Sequence, residues 1–179
     1  GRTPLPPRGE WARIASSLGE PAALRRRLRQ LIELEFAGAK VLTVTADVTD
    51  PAQLRDAVAA THARFGPVNG VVHAVMDPGL GMIAQRTRTQ VEAAFAPKVA
   101  GTRALLDALR GEPLDFVLFC SSIAAIVGGL GRSDYAAANA CLDALATAHR
   151  HTSALPVFSV NWDAWRDVGA AADMQLPQG

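Results

Sequence analysis

The chain has 179 residues, of which 49% are hydrophobic and 20% charged, the proportions of one globular domain that buries an apolar core. Disordered, collagen-like and low-complexity classes are excluded, and no apolar run reaches the length of a membrane-spanning helix. Eighteen basic residues against 17 acidic ones, a net charge of +1, give no electrostatic ground for binding nucleic acid or an anionic membrane.

Residues 1–10 hold three prolines and two arginines; they read as an extended loop and lack the make-up of a secretory signal. A short helical piece is expected over 11–18. Pro21 suits a first helical position, and 22–37 carries Leu24, Leu28, Leu31, Ile32 and Leu34 at helical spacing. Arg25, Arg26, Arg27 and Arg29 read as a solvated face, since acidic residues balance them across the chain. Gly38 ends this helix, and 40–46 (KVLTVTA), rich in β-branched residues, reads as a strand. Asp50-Pro51 marks a helix start by carboxylate cap and first-turn proline, and Gly66-Pro67 stops that helix after Phe65. Residues 68–74 (VNGVVHA) form the next strand. The helical pattern of 87–110 is kinked or restarted at Pro97. Residues 114–120 (LDFVLFC) are nearly continuously apolar, the mark of a strand buried on both faces. A loop with three glycines follows, Ser133-Asp134 caps a helix reaching Arg150, and 156–162 (PVFSVNW) is the last strand.

Such alternation demands parallel strands joined by helical crossovers. The expected fold is α/β, a Rossmann-like doubly wound parallel sheet. Ligands of these sheets sit beyond the carboxyl ends of the strands, here near Asp47, Ala74, Ser121-Ser122 and Trp162. A dinucleotide-binding sheet opens with a strand, a glycine-rich turn and a helix, and nothing before Lys40 supplies them. Gly128-Gly129-Leu130-Gly131 begins six residues past a strand end, lacks the spacing of a phosphate cradle, and reads as a loop. The chain is therefore expected to be the C-terminal two-thirds of a nucleotide-binding domain: one partial catalytic domain over 1–179 whose first βαβ unit is not in the sequence.

Two cysteines, Cys120 and Cys141, make neither a disulfide framework nor a Cys-x-x-Cys metal spacing, which reads as a reduced, cytosolic setting. The basic residues are 16 arginines and two lysines, Lys40 and Lys98, and Tyr135 is the single tyrosine. A lysine kept among so many arginines points to a position that needs a compact ammonium of tunable pKa. Ser122 stands just past a strand end, Tyr135 opens the next helix, and Asn139 lies one turn along the same face. A strand-end hydroxyl and a helix-borne phenol facing one cleft can hold a single carbonyl oxygen, the serine donating a hydrogen bond and the phenol delivering a proton. A phenol, with a pKa of about 10, does this poorly at neutral pH unless a cation favours the phenolate; Lys98, on the preceding helix, is the candidate cation. His149 and His151, at a helix end that favours cations, have no third ligand beside them and read as capping or solvated groups. His73, on a strand, reads as a hydrogen-bonded core residue.

The stretches VVHA (71–74), APKVAGT (96–102), DFVLFCSSIA (115–124), DYAAANACLDALA (134–146) and SVNWDAW (159–165) resemble the ketoreductase domain of modular polyketide synthases, in the short-chain dehydrogenase/reductase superfamily. The resemblance covers nearly the whole chain, from GRT at 1–3 to WRDVG at 165–169. Most of that superfamily uses Tyr-x-x-x-Lys; here position 139 is asparagine and the lysine stands earlier, the exchange that polyketide and animal fatty acid synthase reductases show. The resemblance implies that Tyr135 is the proton donor and Ser122 the carbonyl-binding serine, ahead of Ser121 because the 13-residue step to the tyrosine fits Ser122. It implies that Lys98 and Asn139 orient the tyrosine and the cofactor ribose. Arg2 then matches the arginine that grips the 2′-phosphate of NADPH, Asp47 and Val48 the pair beside the adenine, and Ala74 the strand end near the nicotinamide ribose.

The activity so implied is NADPH-dependent reduction of the β-keto group of a 3-oxoacyl thioester. The thioester rides on the phosphopantetheine of an acyl carrier protein, the other synthase domains are partners, the setting is cytoplasmic, and no metal is involved. Two departures from the family pattern stand out. The phosphate-binding glycine turn is not in the chain. Members reducing to one alcohol configuration carry Leu-Asp-Asp where Pro78, Gly79 and Leu80 stand, and the tryptophan typical of the opposite group is replaced by Val127, so the stereochemical outcome is unassigned. Two other readings stand beside this one: a catalytically inactive structural module of a synthase, and a free-standing short-chain dehydrogenase or sugar epimerase. Asn139, where the latter expect lysine, counts against the second.

Overall fold

A computed structural model of the chain describes residues 1–77, 79, 81–152 and 155–165. After a 3-10 turn at Arg8–Glu10 come helices α1 (Trp11–Ser16) and α2 (Ala22–Phe36). The helical spacing of their apolar residues turns Trp11, Ile14 and Ala15 toward Leu28, and these four are buried together, with Leu5, Leu24, Leu31, Ile32 and Val41 packed around them. Pro21 is the residue before α2 rather than its first member, and Gly38, at φ +93°, follows its end. The arginines of α2 do more than face solvent. Arg25 Nε donates to the Glu20 carbonyl and Arg29 Nε to the Ala15 carbonyl, both at 3.2 Å, tying α2 to the segment before it.

Residues 40–46 do not form the expected strand. Strand propensity is expressed only against a neighbouring strand. Among the described residues the segment finds little of one: the Ala46 N–H donates to the Gly1 carbonyl at 3.0 Å and the Gly1 ammonium to the Val44 carbonyl at 3.4 Å. Helix α3 (Pro51–Phe65) starts as expected. The Asp50 carboxylate accepts from the N–H groups of Ala52 and Gln53 at 2.8 and 3.2 Å, and Gly66, at φ +86°, ends the helix.

The rest alternates strand and helix: β1 (Gly70–His73), α4 (Arg88–Phe95), α5 (Ala100–Ala108), β2 (Phe116–Ser122), α6 (Ala124–Val127), α7 (Ser133–Thr152) and β3 (Val157–Trp162). Thr87 and Gln90 form a reciprocal capping box at the start of α4. Pro97 splits the long helical pattern in two, as expected. Helix α6, which the sequence does not announce, fills the start of the glycine-rich loop and ends at Gly128.

The strands form one parallel sheet in the order β1-β2-β3, in register Val71↔Val117, Phe119↔Ser159 and Ser122↔Trp162. Alternation along the strands turns Val117, Phe119 and Val157 to one face, where they meet Leu142 and Ala146 of α7, with Leu106 of α5 alongside. The parallel sheet with helical connections agrees with the α/β expectation. Burial of β2 on both faces does not hold among the described residues: on the opposite face Phe116, Phe158 and Val72 are 39%, 49% and 56% exposed. No helix among the described residues is long and apolar enough to cross a membrane.

Candidate active site

The carboxyl end of β2 meets α7 and the turn between α4 and α5. Lys98 stands in that turn because Pro97 cannot continue α4 and the helix restarts only at Ala100. Its side chain runs inward, 3% exposed, and Nζ donates to the Cys120 carbonyl at 3.0 Å. The expected cation therefore reaches the strand two residues before Ser122. Desolvation pushes the Lys98 ammonium down to about 8, opposed by electrostatic attraction toward Cys120 and Asp143.

Thr102, one turn after Lys98, secures the same helix. Its hydroxyl donates to the Lys98 carbonyl at 2.5 Å and lies 2.9 Å from His73 Nε2. His73 is buried on β1, edge-on to the Phe119 ring at 6.0 Å. Burial, and then the Lys98 charge, push its imidazole down to about 4 against a main-chain hydrogen bond at Pro97, so it is neutral at physiological pH. It is the hydrogen-bonded core residue expected, and it ties β1 to the helix behind Lys98.

Ser121 and Ser122 close β2, both buried. Ser121 Oγ donates to the Asn139 carbonyl at 3.2 Å, joining the strand tip to α7 and committing that hydroxyl. Ser122 Oγ accepts the Ala124 N–H at 3.2 Å, which leaves its own proton free to donate. Asn139 is fully buried; Nδ2 donates to the Tyr135 carbonyl at 2.7 Å one turn back, while Oδ1 is buried with no partner. Tyr135 is half-buried in the first turn of α7. Contacts to main-chain carbonyls thus tie Lys98 to β2 two residues before Ser122, and tie the tip of β2 to the turn of α7 that holds Tyr135 and Asn139.

The start of α7 is fixed by a pair the sequence reading missed. Asp134 is not simply a cap with Ser133: its Oδ2 accepts from Arg86 Nε at 2.7 Å in a nearly buried ion pair, while Ser133 Oγ donates to Oδ1 at 3.1 Å. Gly79 lets its segment pass close by, since a Cβ there would lie 3.1 Å from Ala94 Cβ at a φ of +52°. Pro78 and Leu80, the neighbours singled out in sequence, lie outside the described residues, as do 166–169 of the last matching stretch and the side chain of His151. His149, on the last part of α7, has its Nδ1 buried without a partner. Among the described residues no cluster of His, Cys, Asp or Glu could hold a metal ion.

The remaining expected residues form a second group. Arg2 is exposed, and its charge acts on Asp47. The Asp47 carboxyl is held below the usual range first by the Thr49 N–H at 2.9 Å and then by the Thr49 hydroxyl at 2.7 Å. Val48 packs against Gly101, where a Cβ would fall 2.8 Å from Val48 Cγ1. Only glycine lets this loop approach the helix that follows Lys98. Ala74 follows β1 and is exposed.

A family model described as "KR domain" matches residues 13–167. The chain is 38% identical over 178 residues to a phenolphthiocerol/phthiocerol polyketide synthase of Mycobacterium tuberculosis, covering 98% of this chain. It is 37% identical over 172 residues to 6-methylsalicylic acid synthase of Aspergillus terreus, covering 96%. It spans 9% of the length of each of these relatives. The crystal structure of an N-terminal ketoreductase from the macrolactin assembly line aligns with a TM-score of 0.76 at 30% identity, covering 92% of this chain and 30% of that one.

Proposed function

The chain belongs to the KR-domain family of polyketide synthases, within the short-chain dehydrogenase/reductase superfamily, and from that premise we propose that it reduces the β-keto group of a 3-oxoacyl thioester to a β-hydroxyl during polyketide chain elongation. NADPH is the reductant, an acyl carrier protein bears the thioester, and residues 1–179 are part of the catalytic domain. One observation carries this reading: a buried ammonium, Lys98, bonded to the Cys120 carbonyl two residues short of Ser122 and beside the helix that bears Tyr135 and Asn139.

The donor set fits a nicotinamide dinucleotide. Asn139 Oδ1 is buried and lacks a donor, Lys98 has further N–H groups beyond the one given to Cys120, and Arg2 offers a fork of donors to a phosphate. In this reading Arg2, Asp47, Val48, Ala74, Lys98 and Tyr135 hold the cofactor, with Arg2 selecting NADPH. When bound, it supplies the hydride for the keto carbon. The protein's own residues handle the oxygen. Ser122 donates to it through the proton its hydroxyl keeps free, and Tyr135 delivers the phenolic proton as negative charge develops there. The Lys98 ammonium stabilises the phenolate left behind. Asn139 braces the turn of α7 that carries the phenol.

Tyr135→Phe in the full-length protein tests the reading. NADPH oxidation with a 3-oxoacyl thioester is expected to fall by at least about 100-fold, while NADPH affinity, read by cofactor fluorescence, stays within about threefold because Arg2, Asp47, Val48, Ala74 and Lys98 still hold the cofactor. Retained turnover contradicts the assignment. Cofactor binding without turnover in the wild type favours the inactive structural module.

A further inference from the structure

Asp143 lies on α7 one turn beyond Asn139 and two beyond Tyr135, and the reaction proposed above leaves it without a task. Its half-buried carboxylate sits between α7 and β3. Oδ1 accepts from Ser159 Oγ at 2.5 Å, and Oδ2 from Asn161 Nδ2 at 2.9 Å. Ser159 and Asn161 are two residues apart on β3, so both side chains leave the same face of the strand. Asn161 Nδ2 also donates to the main-chain carbonyl of Ser122 at 3.1 Å. Both hydrogens of the amide are therefore committed, each to an oxygen that can only accept. A flipped amide would set its own oxygen against a carboxylate and a carbonyl, so the charge on Asp143 dictates the orientation of Asn161.

We propose that Asp143 is a positioning residue of the reduction site: through Asn161 it fixes the main chain of Ser122, and so the direction from which the Ser122 hydroxyl meets the keto oxygen. The inference rests on the ketone-reduction reading. The link is superfluous for joining the strands, since β2 and β3 already pair along their length and the Ile123 N–H reaches the Trp162 carbonyl at 3.0 Å. It acts instead where β2 leaves the sheet, at the residue whose hydroxyl matters, and the carboxylate strengthens it by charge.

The test uses the full-length protein with NADPH and a 3-oxoacyl thioester. Asp143→Asn is expected to lower kcat about tenfold, with KM and NADPH affinity within about twofold, because a misdirected donor costs rate rather than binding. In a Ser122→Ala background the same change is expected to cost less than about twofold, since the hydroxyl it positions is gone. Asn161→Ala, which removes the link and keeps the carboxylate, is expected to give the same two results, and it decides the matter if Asp143→Asn does not fold. With oxidised cofactor and a carbonyl-labelled 3-oxoacyl thioester bound, the infrared C=O stretch is expected to move toward its solution value in both variants. Equal losses with and without the Ser122 hydroxyl, or a kcat within about twofold of wild type, overturn the inference. Unimpaired turnover by Tyr135→Phe overturns the underlying reading instead, which separates the two failures.

Discussion

The α1–α2 unit and the tip of the sheet are both buried, by opposite means. In the first, the interior is Trp11, Ile14, Ala15 and Leu28, and the arginines stay at the rim, donating to carbonyls. At the tip the interior is polar: His73, Lys98, Thr102, Ser121, Ser122, Asp134 and Asn139 are all buried. Burying polar groups is unfavourable unless their hydrogen bonds are met, and burying an ammonium more so. Stability alone favours apolar side chains in such a place. The contrast teaches that one region is built to hold the chain together, while the other tolerates a stability cost that the proposed ketone reduction explains.

That contrast breaks if damage to each region moves both stability and activity. The larger expected effect is at the helical unit. Leu28→Ala, at a fully buried position, is expected to cost about 3 kcal/mol of local stability. Hydrogen exchange in α1 and α2 of the full-length protein reads this loss, and kcat/KM should stay within about twofold since the site is left intact. A matching loss of kcat would erase the distinction. The smaller effect is at the tip, and it depends on pH. His73 stays neutral in the fold down to about 4, against an ordinary 6.5. As pH falls through 6.5 the unfolded chain therefore takes up the proton first, so this contribution to stability is complete above 6.5 and declines toward 4. Between pH 6.5 and 5 the loss is roughly 2 kcal/mol. Exchange protection of β1 should follow it, and His73→Gln, which cannot titrate, should flatten the decline.

Much of this was legible in the sequence, for local reasons. Caps and breakers act within a turn of where they stand, so Asp50-Pro51, Gly38, Gly66 and Pro97 mark their helix boundaries. The proposed site residues Ser122, Tyr135 and Asn139 stand out by spacing from a strand end, and Lys98 by its rarity among arginines. What escaped is either long-range or too brief to show a pattern. The strand expected at 40–46 needs a neighbour to pair with, and α6 is too short to show a helical period. The pairs His73–Thr102, Asp143–Asn161 and Arg86–Asp134 are separated by 29, 18 and 48 positions and leave no local pattern. Asp143 alone left a trace, as a carboxylate in step with Tyr135 and Asn139 on one helix.

The central claim is that the Lys98 ammonium is kept buried at the end of β2 for chemistry rather than for stability. The most direct measurement takes Lys98→Met in the full-length protein and reads kcat together with the exchange protection of β2. The account predicts that kcat falls about 100-fold or more while protection is equal or greater, because an apolar side chain replaces a desolvated charge. A kcat within about fivefold of wild type, or protection that collapses along with kcat, would contradict it.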